Sequence, residues 1–148
     1  MHDFIKKSLT KQCKAIFPNT LNANNTLFGG EAMKWMDEVA YITASRFTRL
    51  HMFTLSTDKV KFLRPVKSDH FVEVIGCVEK VTAVKLIIKV EIYSEELYGT
   101  NREKAVEGSF VFVSLNENLA PCRIRYPFDL DKFLKEAEEE EEEDKTTV

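Results

Sequence analysis

The chain has 148 residues, 44% of them hydrophobic and 30% charged, with five Gly and four Pro. That is the length of one domain, enough to bury about two-thirds of its unfolded surface, and it excludes collagenous and wholly disordered classes. The net charge of −3 is uneven: residues 136–148 hold eight of the 24 acids, leaving 20 bases against 16 acids in residues 1–135. No basic block or aromatic-basic stripe points to nucleic acid, whereas a small phosphorylated ligand fits a mildly basic body.

Three cysteines, Cys13, Cys77 and Cys122, are odd in number and far apart. With a start (MHDFIKKSLTKQ) that lacks an apolar run, they read as reduced thiols of a cytoplasmic protein. No stretch approaches membrane-spanning length.

In chain order, residues 9–17 alternate loosely and predict a strand that Pro18 stops. Residues 19–25 are turn chemistry, and Gly29-Gly30 is a joint before a helix over 31–48. There Met33, Met36, Ala40, Thr43 and Phe47 form a stripe roughly 80° wide at about 100° per residue, which Ala32 extends and Trp35 and Val39 widen. Asp37 falls at the stripe's edge, about 40° from Met33, and is expected to be half-buried. Four strands follow, over 52–62, 70–81, 84–93 and 104–115. Val72, Val74, Gly76 and Val78 oppose Glu73, Ile75, Cys77 and Glu79, and Leu86, Ile88, Val90 and Ile92 oppose Lys85, Ile87, Lys89 and Glu91. The short link between the second and third of these strands makes them antiparallel neighbours. One long apolar helix followed by an antiparallel meander predicts an α+β domain over 1–128, a sheet of five to six strands curled around the helix. Residues 129–137 predict a short amphipathic helix, and the acidic run over 138–148 a disordered tail.

No P-loop, GxSxG, HExxH or GxGxxG is present, and nothing suggests a metal site. The informative stretch runs from Asn22 to Glu38. A glycine pair before a helix leaves amides uncovered at the positive end of the helix dipole, where a carbonyl oxygen developing charge could be held. Asp37, if desolvated, suits a general base. The Asn-rich loop supplies neutral donors and acceptors. On spacing alone these are a candidate anion or carbonyl site at a helix start; glycine pairs are often mere turns, and carboxylates at stripe edges are often solvated.

The segment NANNTLFGGEAMKWMDEVAYITA resembles the signature of hot-dog-fold acyl-CoA thioesterases, the YciA-like and brain acyl-CoA hydrolase-like group. The matching residues are Asn22, Ala23, Asn24, Phe28, Gly29, Gly30 and Asp37, joined by Phe62 to Val66 (FLRPV) and the 85–92 strand. The resemblance covers about residues 9–127. It departs at Asn25-Thr26, where the group has Gly-Asp; Asn tolerates left-handed backbone angles, so the turn can survive. It implies hydrolysis of acyl-CoA to fatty acid and CoA with no cofactor beyond the substrate's own coenzyme A. It implies Asp37 as general base or nucleophile, Asn22 orienting water or substrate from the opposite subunit, and the amide of Gly30 or Glu31 polarising the thioester carbonyl. Asn24, Phe28 and Gly29 would border the substrate, and Arg64, Thr82 and Lys85 would meet CoA phosphates or ribose. A homo-oligomer is implied, a dimer at least, with trimers of dimers common in the group. Two other readings compete. A hydratase would pair a His with an acid, but His2, His51 and His70 lie outside the motif. A non-catalytic acyl-CoA binding module would have little use for the carboxylate of Asp37.

Overall fold

The computed structural model describes residues 1–146; Thr147 and Val148, the end of the expected disordered tail, lie outside the described residues. The elements are α1 (Asp3–Ser8), β1 (Thr10–Ala15), a 3₁₀ turn (Pro18–Thr20), α2 (Gly29–Thr48), β2 (Phe53–Phe62), β3 (His70–Val81), β4 (Leu86–Glu96), β5 (Arg102–Leu115), β6 (Pro121–Cys122) and α3 (Leu130–Thr146). The sheet order is β1-β3-β4-β5-β2, antiparallel throughout, with β6 paired to β5. This is the hot-dog arrangement, a long helix against an antiparallel sheet, and the sheet is not closed into a barrel.

The alternation read from the sequence is the burial that holds the fold. Val72, Val74, Leu86, Ile88, Val90, Ile92, Phe110 and Phe112 are fully covered on one face of the sheet. Against them lie Met36, Val39, Ala40 and Thr43 of α2, also fully covered. Each large aliphatic or aromatic side chain so buried contributes about 1.5–3 kcal/mol of transfer free energy. The approach of helix to sheet is set by Gly76: a Cβ there would lie 2.5 Å from Thr43 Oγ1 and 2.9 Å from Val39 Cγ1. The partly buried outer face carries ion pairs instead, among them Arg102 with Glu73 and Glu95, and Lys104 with Glu91 and Glu107.

Three features depart from the sequence expectations. α1 was not expected; six residues are too few for periodicity to reveal, and its cap is the His2 ring, whose Nδ1 accepts the Phe4 N–H at 3.2 Å. α3 does not stop at residue 137 but continues through the acidic run to Thr146, so the described part of the expected disordered tail is helical. Asp129 caps it by accepting the Lys132 N–H at 2.9 Å. Phe133 then docks on Phe47, and His2 Nε2 meets Glu136 Oε2 at 2.9 Å. Glu has good intrinsic helix propensity, which these anchors exploit despite the like charges. The third feature is β2. Its other edge is unpaired among the described residues, and it exposes Phe53, Leu55 and Phe62 beside Leu63 and the helix residue Tyr41.

Candidate functional site

The loop preceding α2 is built by Asn22. Its Oδ1 accepts the amides of Asn24 (2.9 Å) and Thr26 (3.2 Å), and its Nδ2 donates to Thr26 Oγ1 at 2.9 Å. Asn25 adopts φ 57°, the left-handed angle that Asn tolerates where the group has Gly. The loop is tied to the FLRPV segment through the Leu27 N–H to Val66 carbonyl bond of 2.8 Å and a bridge between Thr26 and Lys67. The Asn22 carboxamide is thus committed to its own loop, and no hydrogen bond joins it to Asp37 within the chain among the described residues.

α2 then starts with Phe28 at its N-cap, whose side chain cannot cap, so the amides of Gly29, Gly30 and Glu31 have no side-chain acceptor. A Cβ on Gly29 would touch the Phe62 ring at 3.4 Å, whereas one on Gly30 would meet nothing within 4 Å. The fold of this chain therefore does not demand glycine at position 30; open space in front of the helix start does the selecting only if something else enters it. Beside it lies an apolar cavity of about 260 Å³ lined by Leu27, Ala32, Phe62, Leu63, Arg64, Pro65, Val66 and Val106. Phe28 and Asn24 stand exposed on the approach, and Glu31 is half-buried.

Asp37 is exposed in the single chain, which corrects the half-buried expectation. It faces the side of α2 where β2 ends the sheet, so no further strand covers it. Its Oδ1 accepts the Thr54 hydroxyl at 2.8 Å. Thr54 is a functional candidate that sequence reasoning passed over. It is one of several hydroxyl residues in a strand, and only the return of the chain from α2 onto β2 brings it to Asp37.

The expected phosphate contacts do not form one cluster. Arg64 lies at the N-terminal end of α2, where its Nε pairs with Glu103 at 3.5 Å. Thr82 and Lys85 lie toward the opposite end, since Tyr126, which packs on Phe47, donates to the Thr82 carbonyl at 2.7 Å. Those helix ends are about 29 Å apart at 1.5 Å per residue. Thr82 Oγ1 is moreover used by its own turn, donating to the Lys85 carbonyl at 3.0 Å and accepting the Lys85 N–H at 2.9 Å. Among the described residues no group of three or more His, Cys, Asp or Glu is placed to hold a metal, and no helix is long and apolar enough to cross a membrane.

The thioesterase superfamily profile matches residues 24–99. An uncharacterised acyl-CoA thioester hydrolase of Bacillus subtilis, YkhA, is 33% identical over 82% of this chain and 70% of its own length. Among solved structures, an acyl-CoA hydrolase of Staphylococcus aureus superposes with TM-score 0.75 over 97% of this chain and 94% of that one, at 24% identity. That protein has been solved with butyryl coenzyme A and coenzyme A, and as variants in which an Asn, an Asp or a Thr is replaced by Ala. A hexameric thioesterase of Yersinia pestis superposes with TM-score 0.69 over 76% of this chain and 92% of that one, at 25% identity. By the matched profile and the B. subtilis relative, this chain belongs to the thioesterase superfamily.

Proposed function

We propose that this protein is an acyl-CoA thioesterase whose reacting group is the Asp37 carboxylate, oriented by Thr54. The observation that carries it is the Thr54–Asp37 hydrogen bond, formed on an open face next to the unpaired β2 edge. The S. aureus variants support it: the Asn, Asp and Thr replaced there are spaced by 15 and 17 residues, as are Asn22, Asp37 and Thr54 here.

In the water route, Asp37 takes a proton from water as the oxygen adds to the thioester carbonyl. The oxyanion is met by the free amides at the start of α2, Gly30 or Glu31. Collapse breaks the C–S bond, and the proton held by Asp37 passes to the departing thiolate. In the covalent route the carboxylate itself attacks, thiolate leaves, and water cleaves the mixed anhydride. Thiolate leaves easily, so neither route needs a strong acid or a cofactor.

The site is completed by a second copy. Within the chain the Asn22 carboxamide is bonded to its own loop, Gly30 lies two turns from Asp37 along α2, about 10 Å at 1.5 Å per residue, and the β2 edge offers both unpaired backbone, among the described residues, and exposed Phe53, Leu55 and Phe62. A dimer joined there, and a trimer of such dimers in keeping with the Y. pestis hexamer, is the assembly we propose. Three free thiols accord with a reducing compartment, the cytoplasm.

The test is thiol release from acyl-CoAs running from acetyl to palmitoyl, with Asp37→Ala alongside. Release that disappears in the variant supports the reading. Release that survives removes Asp37 from the mechanism. Binding without any release turns the protein into an acyl-CoA binding module.

A further inference from the structure

At the opposite end of α2 from Gly30, a larger cavity of about 510 Å³ is lined by Leu50, Ser114, Leu115, Glu117, Arg123 and Arg125 together with Asn116 and Cys122. Its Ser114 wall lies a short way along the sheet from Thr54. Thr54 is opposite Phe112 in the β2–β5 register, and Ser114 lies two residues further along β5, about 7 Å away at the rise of a strand.

The chain after β6 alternates. Ile124 is buried and its N–H donates to the Ala83 carbonyl at 2.8 Å, while Tyr126 donates to the Thr82 carbonyl. Arg123 and Arg125 are therefore the exposed members of the alternation, and the β3–β4 turn pinned beneath them adds exposed Lys85. None of these three cations has a carboxylate within ion-pair distance among the described residues, Glu117 included. The contrast with Arg64, Arg102 and Lys104, each neutralised by one or more glutamates, is sharp. Clustered, unpaired cations beside a cavity raise the local concentration of an anion, and guanidinium groups suit phosphate oxygens in particular.

We infer that Arg123 and Arg125, with Lys85, hold the phosphates of the coenzyme A arm while the thioester lies at Asp37–Thr54, with Leu50 and Leu115 walling the uncharged arm between them. This inference rests on the thioesterase reading, and it assigns two arginines that the family signature does not contain.

The test is the double variant Arg123→Gln/Arg125→Gln, with Lys85→Gln as a separate protein. Hydrolysis is measured for an acyl-CoA and for the same acyl group on N-acetylcysteamine, which carries no phosphate, and coenzyme A binding is measured by calorimetry. The double variant is expected to raise KM for acyl-CoA, and to weaken coenzyme A binding, by tenfold or more, since charged hydrogen bonds are lost. Its kcat should stay within about twofold and its kinetics on the N-acetylcysteamine thioester should not move; Lys85→Gln should show a smaller shift of the same kind. Unchanged KM and unchanged binding overturn the inference, as does an equal loss on both substrates, which would mark a structural role. If the unmodified protein cleaves neither thioester but coenzyme A binding still falls in the variant, the phosphate site stands and the hydrolytic reading falls. If the unmodified protein does not bind coenzyme A, both fall.

Discussion

Replacing Thr54 by Val keeps the shape of the side chain, keeps a β-branched residue in a strand, and removes one hydroxyl. What is lost is a 2.8 Å hydrogen bond from Thr54 Oγ1 to Asp37 Oδ1. A hydrogen bond to a charged partner is worth about 1.5–3 kcal/mol. If the bond fixes the carboxylate for attack or for proton abstraction, most of that appears in the barrier, and each 1.36 kcal/mol is tenfold in rate. The expected loss is roughly 10- to 150-fold in kcat with KM changed less than about threefold, because the role proposed for Thr54 is to orient the carboxylate rather than to hold the bulk of the substrate. Thr54→Ser restores the hydroxyl and should recover the rate to within about fivefold. Both residues are exposed in the single chain, so the fold of the chain does not depend on the bond and the circular dichroism spectrum should not change. The assay is steady-state thiol release with a saturable acyl-CoA, with thermal unfolding run in parallel. Thr54→Val at full activity, or Thr54→Ser as slow as Thr54→Val, refutes the orienting role.

Three further outcomes follow from the fold. Gly76→Ala forces a methyl into the space held by Thr43 Oγ1 and Val39 Cγ1 and disturbs the 2.8 Å bond from Thr43 to the Val39 carbonyl; a cost of about 2–4 kcal/mol should lower Tm by roughly 5–15 °C in calorimetry, and a shift under 2 °C would contradict the tight packing. Leu55→Lys places a charge on the unpaired β2 edge; light scattering should find monomers with an unchanged circular dichroism spectrum and activity reduced more than tenfold, whereas an intact, active oligomer would move the interface elsewhere. Burial works against the Glu91 carboxylate, yet the hydrogen bonds from Lys104 (2.6 Å) and Tyr93 (3.1 Å) outweigh it and hold its pKa below the ordinary 4.5. A depressed carboxylate pKa contributes stability that is present above the ordinary value and lost as pH falls through the lowered one. Lys104→Met should therefore be less stable than the unmodified protein at neutral pH, with the gap closing in urea titrations as pH falls below the ordinary 4.5 and through the lowered value; a gap independent of pH would show that the pair contributes through packing alone.

The sheet and α2 were legible because they bury one face and solvate the other. β3 shows this best: its period-two pattern runs from residue 70 to 81, and its observed bounds, His70–Val81, coincide with the reading. α3 was half legible. Leu130, Phe133 and Leu134 mark its start, but nothing in a row of glutamates says whether they repel into coil or continue a docked helix; that depends on the anchoring of Phe133 on Phe47 and of Glu136 on His2, contacts across 86 and 134 residues. The candidate site was legible where it is local and hidden where it is not. Asn22, Gly29, Gly30 and Asp37 fall within sixteen residues and form a motif. Thr54 belongs to a strand that reads as generic, and Arg123 and Arg125 to a segment with no regular element at all.

The misjudged burial of Asp37 is the more instructive error. Periodicity places Asp37 at the edge of the apolar stripe of α2, and whether that edge is covered depends on how far the sheet extends beyond it. β2 is the last strand, and it exposes Phe53, Leu55 and Phe62 where a buried strand would hide them. An apolar edge strand left open is an association surface, and in the dimer proposed above a second copy would supply the burial that this chain does not give Asp37. On that proposal the exposed carboxylate and the exposed edge are one observation, since the same assembly that covers β2 would desolvate Asp37. Diluting the protein below its dimer dissociation constant should then abolish thioester hydrolysis without unfolding the chain. A specific activity that stays constant across that range, with monomers confirmed by light scattering, would separate the two and place the whole reaction within a single chain.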